Sequence, residues 1–181
     1  MKKHTNIAMY YLGIPVTLSE TVDGFRSIFD PKYEVNEAHA TLVAPFPARM
    51  MTSELDQYFA DAAAKFKQQN IAACGFHITS HGYIFYTFDQ SSTALLHELH
   101  DCLHQYFCLA QHKEKEHSFL AHITIGKFDG ERDVPRLVRE TLPEICEQQD
   151  MLLDRVRLYG ILDEHNKRMH VKDYLLARDI D

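Results

Sequence analysis

Hydrophobic positions in the first third of the chain change from the spacing of a strand to that of a helix. Residues 6–14 are mostly apolar and aromatic and stop before a proline, which predicts a strand. Apolar residues then recur at helical spacing and predict an amphipathic helix over 18–29 that ends before Pro31. A second helix is predicted over 53–69, where Thr52 offers a capping hydroxyl.

The centre of the chain predicts a hairpin followed by a long helix. Residues 74–79 and 83–88 are rich in aromatic and β-branched side chains and flank the segment 80–82, which reads Ser-His-Gly. This pattern is typical of two strands joined by a tight turn. Ser91 and Ser92 then offer caps for a helix in which leucines recur at helical spacing.

The last third of the chain predicts one helix and a closing pair of strands. A charged, solvated segment at 111–118 precedes a short strand, and a helix is predicted over 133–147. Two further strands are predicted at 151–161 and 169–177, separated by the polar turn DEHNKR. Helices mixed with hairpins favour an α+β fold with antiparallel sheets over a doubly wound parallel sheet. We expect residues 1–181 to form a single domain, because no long linker marks a boundary.

Composition and charge narrow the class of protein. Of the 181 residues, 45% are hydrophobic and 25% are charged, which is typical of a globular protein. The formal charge of −7 opposes an electrostatic grip on long DNA or RNA, although local groups can still hold a small phosphate ligand. No run approaches the roughly 18 to 20 apolar residues that cross a bilayer, so we expect no membrane partner.

Cysteine usage and the N-terminal segment bear on the compartment. The four cysteines do not have the spacing of a zinc ribbon, so we expect them to be reduced thiols. The opening segment, MKKHTNIAMYYLGIPV, has two lysines before an apolar run, as a secretory signal does, but lacks a small-residue cleavage site. A strand explains these residues better. We therefore expect a cytoplasmic protein. We also expect a monomer.

Two short segments share a histidine, a threonine two positions later and a hydrophobic residue after it. They read His39-Ala-Thr41-Leu and His122-Ile-Thr124-Ile. On a strand, residues two apart lie on one face, so each segment predicts an apolar back and a front with an imidazole and a hydroxyl. A lone histidine of this kind is more often a hydrogen-bonded structural residue. The repetition, with one copy in each half of the chain, indicates two related lobes facing a cleft.

Two polar strand faces of this kind, on opposite sides of a cleft, suit an in-line displacement at phosphorus. That reaction needs a base on the attacking oxygen and an acid on the leaving oxygen, on opposite sides of the phosphate. Imidazole serves both purposes, since its ordinary pKa of about 6.5 allows one ring to be neutral and the other protonated near neutral pH. The two threonine hydroxyls can donate hydrogen bonds to the non-bridging oxygens.

The twin motifs resemble the paired H-x-[TS]-h motifs, in which h is hydrophobic, of the 2H phosphoesterase superfamily. Its LigT-like branch is often labelled 2′-5′ RNA ligase. The resemblance extends over nearly the whole chain, including the Pro45-Phe46 pair after the first motif. It implies a bilobal α+β fold with two pseudo-symmetric lobes, whose antiparallel sheets line a central cleft.

The resemblance also implies an activity and a set of roles. Members open 2′,3′-cyclic phosphates or related cyclic or 2′-5′ phosphodiesters on nucleotides or RNA ends, without metal. His39 and His122 would be the acid–base pair, with His122 activating water and His39 protonating the 3′ oxygen, and substrate orientation can exchange these roles. Thr41 and Thr124 would bind the phosphate. The implied partner is a nucleotide with a cyclic phosphate or a short RNA end.

Four further residues are candidates for substrate binding. Some relatives carry a basic residue just after the second motif, and Lys127 corresponds to it. Strict alternation points Lys127 away from His122, so it reaches the ligand only where the strand bulges near Gly126. The aromatic candidates for stacking on a base are Phe46, Tyr83 and Phe128. Each of these aromatic residues also fits the hydrophobic core.

Two other functions remain open from the sequence. A binding protein without turnover would use the same groove for a nucleotide or an RNA end. A metal carrier would use His97, His100 and His104, which share one helix face. The surrounding letters, HELHDCLH, do not match the H-E-x-x-H pattern of zinc hydrolases, so a solvated helix face is the better interpretation. We expect no metal and no cofactor.

Overall fold

The computed structural model describes residues 7–111, 119–162 and 167–178, and for 108–111 it describes the backbone alone. Most of the predicted charged segment, the first four residues of the DEHNKR turn, the first six residues and the last three residues lie outside the described part. The strands are β1 (Ile7–Pro15), β2 (His39–Pro47), β3 (Gln69–Ile78), β4 (Tyr83–Phe88), β5 (His122–Lys127), β6 (Gln149–Leu153), β7 (Arg155–Leu162) and β8 (Arg168–Leu175). The helices are α1 (Glu20–Phe29), α2 (Ser53–Ala63), α3 (Gln90–Gln111) and α4 (Arg136–Ile145).

The eight strands form one antiparallel sheet with the order β6-β3-β4-β5-β2-β1-β7-β8. The order divides into two halves of four strands, β6-β3-β4-β5 and β2-β1-β7-β8, and each half ends at the centre with a motif strand. This arrangement confirms the predicted α+β class and its pseudo-symmetry. The two halves are continuous, however, because Ala40 of β2 pairs with Ile123 of β5.

Helices cover the face of the sheet that carries the apolar backs of the motif strands. Val22 of α1, Leu55 of α2, Leu99 of α3 and Leu142 of α4 belong to one buried cluster. Leu42 and Ile123, from the two motif strands, belong to it as well. The threonines and histidines of the motifs alternate with these buried residues, as the strand period requires.

Three boundary predictions were wrong. The helix expected over 53–69 ends at Ala63, and residues from 69 onward already belong to β3. The strand expected over 151–161 is two strands, β6 and β7, which lie in opposite halves of the sheet. Buried positions change phase between them, because Leu153 is buried and the next buried residue is Val156.

The third wrong boundary is the cap of α3. Asp89 caps this helix, since its Oδ1 accepts a hydrogen bond of 2.7 Å from the Ser92 amide. Ser92 is instead buried, and its hydroxyl accepts a hydrogen bond of 2.8 Å from the amide of Ala72 on β3. The serine therefore ties the helix to the sheet. Among the described residues, no helix has the length and apolarity needed to span a membrane.

Candidate active site

A cavity of about 200 Å³ opens where the two motif strands meet. Both motifs contribute to its wall, and the contributing side chains are His39, Thr41, His122 and Thr124. The antiparallel register that pairs Ala40 with Ile123 sets Thr41 opposite His122 and His39 opposite Thr124. Each imidazole thus lies across the strands from the hydroxyl of the other motif.

The two imidazoles are held in the same way. Nδ1 of His39 lies 2.8 Å from the backbone carbonyl oxygen of Glu37, and Nδ1 of His122 lies 2.7 Å from that of Leu120. A carbonyl oxygen only accepts hydrogen bonds, so Nδ1 carries the proton in both rings. The Nε2 atom of each neutral ring is therefore the one with a lone pair for proton transfer.

His39 packs against two tyrosines. Tyr11 and Tyr159 stack on each other with their ring centroids 4.6 Å apart, and each centroid lies 5.3 Å from that of His39. Burial lowers the pKa of His39 to about 4, although the Glu37 carbonyl opposes the shift. The positive charges of Arg168 and Arg26 lower the pKa further. His39 is therefore a neutral imidazole at neutral pH in the absence of an anionic ligand.

His122 has a simpler setting. Its ring stacks on Phe85 of β4, with the centroids 3.7 Å apart. Burial lowers the pKa of His122, the Leu120 carbonyl opposes that shift, and the charge of His77 contributes to it. His77 and His81 are both exposed.

The motif strands bulge at matching positions. Gly126 pairs with Ile84 and Thr124 with Phe85, so Ile125 is an extra residue in β5. In the other half the extra residue is Leu42 of β2. The bulge in β5 breaks the alternation just before Lys127.

Lys127 lines the cavity as a consequence of that bulge. Its Nζ donates hydrogen bonds to the carbonyl oxygens of His81 and Phe128. The same atom lies 4.5 Å from the centroid of the Tyr83 ring. Tyr83 also lines the cavity and is 41% exposed, which leaves part of its ring open to a ligand.

Two of the aromatic candidates lie elsewhere. Phe46 is buried in the core, where its ring packs against those of Phe59 and Phe107. Phe128 packs against Phe29 with the ring centroids 5.5 Å apart. Neither residue lines the cavity, so the structure does not support stacking of a base on Phe46 or Phe128. Both side chains pack with core residues instead, which is the alternative that the sequence left open.

The helix histidines pack against the protein. His100 and His97 lie against the ring of Phe119, and Nδ1 of His100 lies 2.6 Å from the carbonyl oxygen of Leu42. The expectation of a fully solvated face is therefore wrong for His100. Within the described ranges, no group of three or more histidines, cysteines and carboxylates is arranged to hold a metal ion.

Several residues of the cavity wall were missed by sequence reasoning. Arg26 of α1 is buried in an ion pair of 3.0 Å with Asp30 and also donates to the carbonyl oxygen of Asn36 at 2.5 Å. Arg168 begins β8 and stacks over Tyr11. Arg26 lies on the helix before the first motif and Arg168 on the last strand, and no spacing in the sequence connects either arginine to a histidine.

Comparison with solved structures places the fold. The chain is similar to LigT of E. coli solved in complex with 3′-AMP, at 14% identity over 94% of this chain and 98% of LigT, with a TM-score of 0.61. It is similar to TT0787 of Thermus thermophilus at 10% identity over 95% and 100% of the two chains, with a TM-score of 0.57. Usb1 of Kluyveromyces marxianus matches at 9% identity over 91% and 98%, with a TM-score of 0.52.

A comparison with protein families settles the relationship. Among curated proteins, none matches the chain. The 2′-5′ RNA ligase superfamily matches residues 14–162, a range that includes both motifs and most of the described sheet. This match confirms the resemblance to the LigT-like branch of the 2H phosphoesterases, and the chain belongs to the 2′-5′ RNA ligase superfamily.

Proposed function

We propose that the protein is a metal-independent phosphoesterase that opens 2′,3′-cyclic phosphates, or related cyclic or 2′-5′ phosphodiesters, on nucleotides or RNA ends. One observation supports the proposal most strongly. His39 and His122 line one cavity with the same tautomer, each opposite the threonine of the other motif. A phosphate between two such rings has a proton acceptor on one side and, when the second ring is protonated at Nε2, a proton donor on the other.

The reaction balances with these groups alone. One neutral imidazole accepts a proton from water at Nε2 while the water oxygen forms a bond to phosphorus. The bond from phosphorus to one ribose oxygen breaks, and the other imidazole, in its protonated form, donates its proton to that oxygen. The product is a phosphate monoester, and a proton transfer between the rings through solvent restores the enzyme.

The surroundings of the two rings favour one assignment of roles. His39 is harder to protonate, because it is buried against the two stacked tyrosines and two arginines lie nearby. We therefore assign His39 as the base and His122 as the acid. This reverses the assignment that the family resemblance implies, and a substrate bound in the opposite orientation exchanges the roles again.

Hydroxyl and ammonium groups stabilise the negative charge on the non-bridging phosphate oxygens. Thr41 and Thr124 face the cavity beside the imidazoles, so their hydroxyls donate to the non-bridging oxygens. Lys127 adds a positive charge at the same cavity. Because these groups supply the stabilisation, the proposed reaction needs no metal ion.

The nucleoside part of the substrate lies toward Tyr83. Its exposed ring lies 6.0 Å from Phe85 in a stacked arrangement, and Phe85 in turn stacks on His122. An aromatic ring beside the phosphate position offers a base a surface to stack on. The structures of the relative LigT with 3′-AMP and with ATP support a nucleotide as the class of ligand.

The test is a hydrolysis assay with 2′,3′-cyclic mononucleotides and 2′-5′ dinucleotides in the presence of EDTA. We expect turnover by the unmodified protein and by His97→Ala, a control on α3 outside the cavity. The proposal fails if no substrate of the panel is hydrolysed, or if EDTA abolishes turnover.

Binding without turnover is the second candidate function. One observation favours it: the pKa of both imidazoles is lowered, so the free protein has little of the protonated acid at neutral pH. Calorimetry that detects a 3′-nucleotide, together with no hydrolysis across the panel and across pH 5 to 8, would establish this alternative.

A further inference from the structure

Arg168 presents a guanidinium to the cavity that has no ion-pair partner among the described residues. Its Cζ lies 5.0 Å from the centroid of Tyr11, and Tyr11 packs against His39. The Nε atom of Arg168 is buried and makes no hydrogen bond within the described part of the chain. A buried donor without a partner is unfavourable, and in folded proteins such groups are usually satisfied.

The neighbouring arginines are neutralised, in contrast to Arg168. Arg26 pairs with Asp30 at 3.0 Å. Arg157 of β7 pairs with Asp173 at 2.7 Å and with Glu37 at 2.8 Å. The fold therefore assigns a carboxylate to each of these two guanidinium groups and leaves Arg168 at the cavity with its charge unpaired in the described ranges.

The position of Arg168 complements that of Lys127. Lys127 lies beside Tyr83 in the half of the sheet that carries His122, whereas Arg168 lies over Tyr11 in the half that carries His39. The ammonium of Lys127 is already held by two backbone carbonyl oxygens. A planar guanidinium with a free N–H is the better donor for two oxygens of one phosphate.

We propose that Arg168 is a phosphate-binding residue, which donates hydrogen bonds to the oxygens of the substrate phosphate from the His39 side of the cavity. The inference rests on the proposed function for the identity of the substrate. Phosphate binding itself does not require turnover, so inorganic phosphate can test it separately. The ligand neutralises the unpaired charge.

The experiment compares Arg168→Met, which keeps most of the aliphatic stem, with Arg168→Lys, which keeps the charge. Inorganic phosphate binding is measured by calorimetry, and kcat/KM is measured on a 2′,3′-cyclic mononucleotide. We expect Arg168→Met to weaken phosphate binding and lower kcat/KM by about 10- to 100-fold each, as for lost hydrogen bonds to a charged group. We expect Arg168→Lys to recover part of both losses.

The control is Arg136→Met, the same substitution at an arginine of α4 whose side chain is 90% exposed. It should change neither quantity, and circular dichroism should show all variants folded. If Arg168→Met misfolds, Arg168→Lys tests the proposal alone. Its expected loss of phosphate affinity and of kcat/KM is smaller than that of Arg168→Met.

The outcomes separate this inference from the proposed function. Phosphate affinity and kcat/KM that are unchanged in both Arg168 variants would overturn the inference and leave the phosphoesterase proposal intact. Weakened phosphate binding in Arg168→Met, with no hydrolysis by any form of the protein, would support Arg168 and refute the enzymatic proposal. Equal losses in Arg168→Met and Arg136→Met would also refute the role of Arg168.

Discussion

The two halves of the sheet build the same local motif and surround it differently. In each half the histidine donates from Nδ1 to a carbonyl two residues earlier, and the strand bulges three residues after the histidine. His39, however, packs against a stacked pair of tyrosines, whereas His122 lies on one phenylalanine beside an exposed tyrosine. Backbone hydrogen bonds thus set the tautomer, and side chains from other strands set the ease of protonation.

A second difference follows the matching bulges. The residue five positions after the histidine is Lys127 in one half and Ala44 in the other. Lys127 lines the cavity, while Ala44 is exposed and does not. The halves therefore share a backbone plan but place their cations on different elements, Lys127 on β5 and Arg168 on β8.

The largest expected effect comes from removing either ring. We expect His39→Ala and His122→Ala each to lower kcat on a cyclic mononucleotide by about 10²- to 10⁴-fold, because each loses one proton transfer. The double variant should lose little more than the worse single variant, since both rings act in one step. Full activity in either single variant would contradict a two-histidine mechanism.

The second-largest expected effect is a difference between the two imidazoles in how they make the stability of the protein depend on pH. The pKa of His39 is about 4 in the folded protein and about 6.5 when unfolded, so the unfolded state binds the proton first as pH falls. Stability attributable to this group is complete above pH 6.5 and is lost as pH falls from about 6.5 to 4, by about 3 kcal/mol.

Urea denaturation at several pH values measures this loss. His39→Asn should flatten the decline in the free energy of unfolding between pH 6.5 and 4. His122→Asn should flatten it less, because the downward shift of the His122 pKa is smaller. Equal flattening by the two substitutions would remove the difference in burial on which the assignment of roles depends.

Gly13 tests the close packing of the His39 half. A Cβ at this position would lie 2.9 Å from the carbonyl oxygen of Ala40 and 3.2 Å from Cδ2 of His39. We expect Gly13→Ala to destabilise the protein by about 1–3 kcal/mol and to lower kcat by displacing the ring. Gly24→Ala is the matched control on α1, where a Cβ meets no atom within 4 Å. It should stabilise the helix by roughly 0.5–1 kcal/mol.

The smallest expected effect concerns the cation of the His122 half. We expect Lys127→Ala to lower kcat/KM by about tenfold, chiefly through KM, because one charge-assisted contact is lost. Adding Ala44→Lys to that variant should not restore activity, since Ala44 does not line the cavity. Restoration would show that the two halves are interchangeable in this respect.

The sequence predicted the parts of the site that depend on local pattern. The strand period places each histidine and threonine of a motif on one face, and the condition on Lys127, a bulge near Gly126, is the geometry observed. Strand order brings Tyr159 against His39 and Arg168 to the same cavity, and the sequence pattern does not encode that order. The same limit applies to the segment 151–161, which was predicted as one strand although the chain crosses from one half of the sheet to the other between Leu153 and Arg155.

Phe46 and Tyr83 show why one aromatic candidate lines the cavity and another does not. Phe46 and Tyr83 both lie on strands near a motif, and composition does not separate them. The sheet register does, because it pairs Tyr83 with Lys127 at the cavity and Phe46 with Tyr10 above the core. Side-chain direction after a bulge depends on that register, which only the folded sheet determines.

Histidine side-chain NMR during a titration with inorganic phosphate tests most directly whether two unlike imidazoles flank one phosphate. Both rings should show the tautomer protonated at Nδ1 before phosphate is added. The resonances of His39 and His122 should then shift together along one saturation curve, with His39 the harder ring to protonate throughout. A shift confined to one ring, or two separate curves, would contradict a shared phosphate site.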